Sequence, residues 1–409
     1  MRRTVPGLPM APASEERPLE LLGAIPHRFF FLSGVSALAL AALWWTWTIV
    51  ARLGYAPPPA AVPPTVMHAF LMVYGFAPFF MFGFLFTAGP RWLGVDPPPP
   101  RAWRLPGAVA AAAVLAMFPL QAAPAWATQV AAGAYALAWA TLLARFVALI
   151  RASDVVDKVH ATLVALALAA GCAGVATFAI LGPAAHAIVK AIGVWIYLLP
   201  VFVVVCHRMI PFFTANVVPF VTAFRPWWLL AAMVAAPVAH GLLELAGLAH
   251  WSLAVDAPAA VLLLAVTLRW GLVQSLSNRL LAMLHVGFVW FGLGFALFVV
   301  SSLSERFGMP GLGLAPMHAL TIGFASSLLM AMVTRVTCGH TGRTLQADTL
   351  TWWLFVLLQV AALARVAAEL LPWPYALACA ALLFAASFVP WAAKYAPLYW
   401  RPRSDGRPG

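Results

Sequence analysis

The chain has 409 residues, of which 64% are hydrophobic and only 9% are charged. Soluble domains carry about 25% charged residues, so this chain has too little charge to cover the surface of a soluble protein of its size. A mean hydropathy of +0.93 agrees with an integral membrane protein. The net charge of +12 does not indicate nucleic-acid binding, because the basic residues lie between apolar runs.

Twelve apolar runs approach the length of about twenty residues that a helix needs to cross a bilayer. Clusters of proline and glycine separate these runs, and no loop is long enough to fold separately. We therefore expect an all-α polytopic membrane protein with one transmembrane domain at 28–395 and tails at 1–27 and 396–409. The runs cover residues 28–50, 65–88, 105–122, 126–149, 158–181, 185–206, 227–247, 253–270, 280–301, 317–337, 350–370 and 375–395.

The N-terminal segment does not have the pattern of a cleavable signal peptide. Glu15, Glu16 and Glu20 precede the first apolar run, and no Ala-x-Ala site precedes a polar start. We therefore expect the first run to be a spanning helix.

Basic residues are distributed unequally between the two sides of this partition. Of the 24 Lys and Arg residues, 20 fall on one side, while Arg52, Arg306 and Arg365 fall on the other. Lys190, in the sixth apolar run, is assigned to neither side. Because cytoplasmic loops carry an excess of Lys and Arg, the pattern predicts that both termini are cytoplasmic.

The chain has ten histidines although it is very apolar, which indicates a functional site. Ionisable residues inside a membrane are rare because they are costly to bury, and they usually have a function. His68 and His318 each lie within about a turn of the start of a helix predicted to run from outside to inside. The sequence Met-His-Ala repeats around both, so two imidazoles are expected at one depth. They are either axial ligands of one haem or buried histidines bonded to backbone carbonyls. No Cys-x-x-Cys-His site is present, which excludes a covalently attached c-type haem, and we expect a haem of the b type.

A second polar group is predicted on the same outer side. His240 and Glu244 are four residues apart on one helix, and His186 and Lys190 have the same spacing on another. The group is a candidate for a second metal or proton site. The alternative is a structural ion pair between Lys190 and Glu244.

Two cysteine–histidine neighbours lie at predicted cytoplasmic helix ends, namely Cys206-His207 and Cys338-Gly339-His340. Sulfur together with imidazole suits Cu(I), while the alternative is thiols at the membrane boundary with no ligand role. No Cys-x-x-Cys pair occurs, which argues against a disulfide framework or a zinc ribbon.

Several stretches resemble the NnrS family of haem- and copper-associated bacterial membrane proteins, which are linked to nitric oxide and nitrosative stress. The resemblance extends from the first predicted helix to the eleventh. One departure is that Phe70 and Leu71 stand where many members have a second histidine and a glutamate. The matching segments are 26–31, 208–214, 284–287, 318–323 and 332–343, together with His68, Gly75, 83–85 and 90–92 of the second helix.

The resemblance implies roles for particular residues. His68 and His318 would bind iron, and His285 would serve a second cofactor or bond structurally. Three arginines at the inner boundary would either pair with haem propionates or simply follow the positive-inside rule; they are Arg208, Arg335 and Arg343.

The helix count and the histidines on the second and tenth helices are also similar to subunit I of the haem–copper oxidases and nitric oxide reductases. The chain lacks their adjacent histidine pair on the seventh helix and their His-x-His on the tenth. This likeness is therefore an analogy of architecture alone.

The function that the resemblance implies is that of a haem redox protein in the bacterial inner membrane, with copper as a further metal. It would act on nitric oxide or nitrosyl–iron species during nitrosative stress or denitrification, by reduction with electrons from a quinol or a cytochrome. Two alternatives are a haem-based nitric oxide sensor or buffer without turnover, and a secondary transporter. The expected partners are nitric oxide or nitrosyl–iron species, the electron donor and membrane lipid. No nucleic-acid partner is expected.

Overall fold

The computed structural model describes residues 18–219 and 221–406, and within these ranges the chain is all-α without strands. The all-α polytopic membrane fold is confirmed. The long helices are α1 (Pro26–Ala51), α2 (Pro64–Thr87), α3 (Pro100–Leu120), α4 (Ala125–Ala152), α5 (Val159–Leu181), α6 (186–217), α7 (Trp227–Leu245), α8 (Leu253–Arg269), α9 (Arg279–Arg306), α10 (Ala315–His340), α11 (Thr349–Ala367) and α12 (Ala376–Tyr395).

Ten helical segments in the described ranges are long and apolar enough to span a membrane. Two features account for the difference from the twelve apolar runs. The helices α5 and α6 continue into each other as one segment of 59 residues. Gly182, at φ +62°, bends the backbone between them into a conformation that suits glycine. The helix α8 has only 17 residues, so it is short for a spanning helix.

Two helix ends differ from the expectation. The helix α6 continues beyond residue 206 and through Pro211 to Val217, so Arg208 lies inside a helix and not after one. Proline is tolerated inside membrane helices because neighbouring groups satisfy the freed carbonyl. His340, expected in a loop, is the last residue of α10.

The helices α2, α6 and α10 form the inside of the bundle. In the most apolar stretch of α2, 83% of residues are buried, and in α10 67%, against 33% in α3, α4 and α11. Each of the three inner helices contains a π-helical segment, at 71–75, 192–198 and 319–326. Such segments are rare and are found frequently at functional sites.

Side-chain hydroxyls satisfy carbonyl groups at these π-helical segments. The Tyr135 hydroxyl donates to the Tyr74 carbonyl at 2.6 Å, and the Tyr74 hydroxyl donates to the Val189 carbonyl at 2.7 Å. In α10, Ser326 donates to the Thr321 carbonyl at 2.9 Å. Unsatisfied backbone groups are costly in an apolar medium, so these bonds make the irregular helices tolerable at the centre of the bundle.

The orientation of the bundle is a testable prediction. Fusions of a cytoplasmic reporter after residue 409 or within 97–100 should be active, because the basic residues cluster on that side. The measurement is the activity of paired reporters that work on opposite sides of the membrane. A result that puts either point outside would contradict the orientation. Arg2, Arg3, Arg17 and Arg407, which contribute to the charge pattern, lie outside the described residues.

A histidine-lined cavity as the candidate functional site

A cavity of about 400 Å³ lies inside the bundle, lined by α1, α2, α6 and α10 and by residues of and next to α11 and α12. Its volume falls within the range of about 300–1,000 Å³ that is typical of ligand and cofactor pockets. The π-helical segments of α2, α6 and α10 all contribute to its wall, so the irregular backbone lines a cavity.

His318 lines this cavity near the start of α10. Its Nδ1 lies 2.9 Å from the carbonyl oxygen of Leu314. Because a carbonyl only accepts hydrogen bonds, Nδ1 carries the hydrogen and the Nε2 of the neutral ring keeps its lone pair. A backbone carbonyl that fixes the imidazole in this way is the usual second partner of a metal-binding histidine.

His68 lines the same cavity from the start of α2. Its ring stacks on the Trp45 ring, with centroids 3.7 Å apart and an interplanar angle of 16°. Within the described residues, its buried Nδ1 has no hydrogen-bond partner. The ring is therefore oriented by stacking and retains an unused polar atom.

Three cationic side chains share the cavity with the histidines, and the sequence-based roles did not include two of them. Arg52 and Arg365 are two of the three basic residues on the predicted outer side, and Lys190 is the third lining cation. Arg365 donates to Glu369 at 2.7 Å, while its Nη1 is buried without a partner among the described residues. Glu369 also lines the cavity, so three cations and one carboxylate leave an excess of positive charge, and the Arg365 guanidinium has unused donor capacity.

His186 also lines the cavity, at the start of α6. Each of the three inner helices therefore contributes one histidine close to its first turn, ahead of its π-helical segment. The sequence pairing of His68 with His318 did not extend to this third position. The sequence signal for His186 is its position near the start of α6, which matches the positions of His68 in α2 and His318 in α10.

The other residues predicted for the second metal or proton site are each bonded to a protein partner. Lys190 forms an ion pair with Glu244 at 3.1 Å, which was the alternative to a metal site, and Trp195 donates to the same carboxylate at 2.7 Å. His240 lies 2.8 Å from Asp256, a buried residue that the sequence reasoning missed. Within residues 18–219 and 221–406, no group of three or more His, Cys, Asp or Glu side chains is arranged to hold a metal ion.

The three inner arginines lie away from this cavity. The Arg208 guanidinium lies over the Trp92 ring at 4.7 Å, and that of Arg335 lies over the Phe213 ring at 3.8 Å. Arg343 Nη1 approaches the Thr341 carbonyl at 3.5 Å. Their pairing with haem propionates stays a prediction, and it would concern a cofactor at the other end of the bundle.

His285 and His340 do not line the cavity. His285 is fully buried, and its Nε2 lies 2.9 Å from the hydroxyl of Thr214. Because that hydroxyl donates to the Ile210 carbonyl, it accepts from His285, which fixes the ring structurally. His340 packs against His27, with ring centroids 4.6 Å apart.

The fold and the cavity define a class: a polytopic all-α membrane protein with an internal cavity lined by histidines and cations. The sequence model of one family, described as NnrS protein, matches residues 22–403, which is nearly the whole chain. The chain belongs to the NnrS family, and membership makes it a membrane protein related to nitric oxide. None of the curated proteins matches the chain.

Proposed function

We propose that the chain is a haem protein of the bacterial inner membrane that binds nitric oxide or a nitrosyl–iron species in the cavity between α2, α6 and α10. His68 and His318 are the residues that would hold the haem. The single observation that carries the proposal is that these two histidines line one cavity with the His318 Nε2 lone pair free.

The residues around the cavity fit the chemistry of a haem. Iron needs neutral imidazole nitrogen, which the hydrogen bond from His318 to Leu314 provides, and the unpartnered Nδ1 of His68 leaves a second imidazole available. The stacked Trp45 ring offers an apolar surface beside it. The sequence left two roles open for His68 and His318, namely haem ligand or histidine bonded to a backbone carbonyl. His318 has such a carbonyl bond, and within the described residues His68 has none.

Arg52, Lys190 and Arg365 would pair with the propionates. A porphyrin with two carboxylates combines a large apolar surface with two negative charges, which matches a mainly apolar cavity with cations in its wall. The unused Nη1 of Arg365 is a donor that a carboxylate would satisfy. Lys190 is already paired with Glu244, so its contribution to a second anion is smaller.

When bound, a haem supplies an iron centre for binding a diatomic ligand and for one-electron transfer. The protein's own residues hold the cofactor, exclude water with the surrounding apolar helices, and present charged groups near it. His186 is the third imidazole of the cavity and would serve as a polar contact for the substrate. Reduction of nitric oxide needs electrons, and we assign their source to a membrane quinol or a cytochrome. Copper stays a prediction of the family resemblance.

An optical spectrum of the purified protein tests the proposal. We expect a Soret band that shifts on reduction, and a further shift when nitric oxide is added to the reduced protein. Disappearance of nitric oxide in the presence of an electron donor would indicate an enzyme, whereas binding without loss would indicate a sensor or buffer. A folded protein expressed with ample haem that shows no Soret band would contradict the proposal and favour a transporter.

The substitution His340→Ala is expected to leave the haem spectrum intact. His340 packs on His27 at the end of α10 and is not part of the cavity wall. The measurement is the Soret absorbance per mole of folded protein, compared with wild type. Loss of haem from a stable His340→Ala protein would show that the inner end of the bundle holds the cofactor.

A further inference from the structure

A second cavity, of about 80 Å³ and partly open, shares wall residues with the histidine cavity. Its accessible wall is entirely apolar and is formed by side chains of α1, α2, α6, α9 and α10. Phe31, Met81 and Leu284 are representative of this wall, and among the described residues no histidine or charged side chain belongs to it. The haem ligands proposed above therefore take no part in this cavity.

Three residues line both cavities and form the boundary between them. They are Ala77, Phe202 and Leu329, which come one each from α2, α6 and α10. Each follows the π-helical segment of its own helix by a few residues. The irregular part of the inner helices thus ends where the polar cavity gives way to the apolar one.

The composition of the wall selects the kind of molecule that can occupy the second cavity. A buried water needs two to four polar partners, and an apolar wall offers none, so such cavities stay dry. An ion would lose its hydration without compensation. An engineered apolar cavity of about 150 Å³ in another protein binds xenon and benzene. A space about half that size suits small neutral molecules that need no hydrogen bond.

We propose that the apolar cavity binds small neutral diatomic gases and passes them across the boundary of Ala77, Phe202 and Leu329 to the histidine cavity. The identity of the gas as nitric oxide rests on the proposed function. The affinity for an apolar guest depends only on the cavity itself.

Xenon binding tests the cavity without reference to haem. In crystals of the full chain pressurised with xenon, we expect an anomalous peak enclosed by Met81, Val205 and Leu284. Val205→Phe should remove the peak because the added ring fills the space, and Val205→Leu is a smaller filling variant, expected to weaken the peak, if the first does not fold. The matched control is Ala169→Phe, a similar enlargement on an exposed face of α5. Absence of xenon from the wild-type cavity would overturn the proposal.

The rate of gas entry tests the route. In haem-loaded protein, Ala77→Leu should slow recombination of nitric oxide from outside after flash photolysis by about tenfold, because it narrows the boundary. Ala169→Leu should leave the rate at the wild-type value. An unchanged rate in Ala77→Leu would overturn the route. If the protein binds no haem, the proposed function fails, and xenon binding still decides the cavity.

Discussion

Replacing His68 or His318 with alanine is expected to remove or strongly alter the Soret band of the purified protein. Both imidazoles line the same cavity, and the hydrogen bond from His318 Nδ1 to Leu314 leaves its Nε2 free for iron. The measurement is the absorbance spectrum of each variant, oxidised and reduced, together with the haem content per mole of protein.

The two variants are also expected to differ from each other. His318 has a backbone bond that orients it before any ligand arrives, whereas His68 is held by its stacking on Trp45. We therefore expect His318→Ala to lose more haem and His68→Ala to retain some in a five-coordinate form. The control is His250→Ala, since His250 lies outside the cavity wall. Wild-type spectra in both single variants would refute the assignment and leave His186 as the next candidate.

The helices of this protein could be predicted from sequence because the bilayer imposes a simple rule. Apolar runs of about twenty residues must become helices, since every backbone group in lipid needs an internal partner. The end of α6 could not be located in this way. The apolar run ends at residue 206, but the helix continues through Pro211 to Val217.

The histidine pair was predictable for a different reason. His68 and His318 occupy equivalent places in two helices of the same direction, so orientation alone assigned them one depth. Whether they share a cavity depends on the packing of α2 against its neighbours. The hydropathy pattern of the sequence does not contain that information. The partners of His285 and His240 were likewise hidden, because Thr214 and Asp256 lie on other helices.

The cations of the cavity stand out in the sequence as exceptions to the positive-inside rule. The positive-inside rule accounts for Arg208, Arg335 and Arg343 without any function. It does not account for Arg52 and Arg365, which lie on the predicted outer side. Of the three basic residues on the predicted outer side, Arg52 and Arg365 line the histidine cavity, while Arg306 donates to the His250 carbonyl.

The π-helical segments were beyond sequence reasoning altogether. Residues 71–75, 192–198 and 319–326 are as apolar as ordinary helix, so hydropathy does not distinguish them. Their stability depends on remote donors, such as the Tyr135 hydroxyl that reaches the Tyr74 carbonyl. Their shared position around two adjoining cavities is the feature that most clearly relates the fold to the binding of a ligand.

Arg365→Leu is expected to weaken haem binding by about 10- to 100-fold, since a hydrogen bond to a charged group contributes roughly 1.5–3 kcal/mol. Arg365 lines the cavity with its Nη1 buried and unpartnered, so a propionate would satisfy a donor that is otherwise unused. Arg365→Lys should give an intermediate affinity, because it keeps the charge and loses the planar fork. The measurement is haem transfer from each variant to an excess of apomyoglobin.

The ion pair between Arg365 and Glu369 requires a control, because removing the arginine leaves a carboxylate beside the cavity without its partner. The double variant Arg365→Leu with Glu369→Gln removes that charge, and it should still bind haem more weakly than Glu369→Gln alone. Arg208→Leu, at the stacked site over Trp92, should match wild type. If Arg208→Leu loses haem and Arg365→Leu retains it, the propionates lie at the inner end of the bundle. That result would agree with the sequence-based prediction that the three inner arginines pair with the propionates.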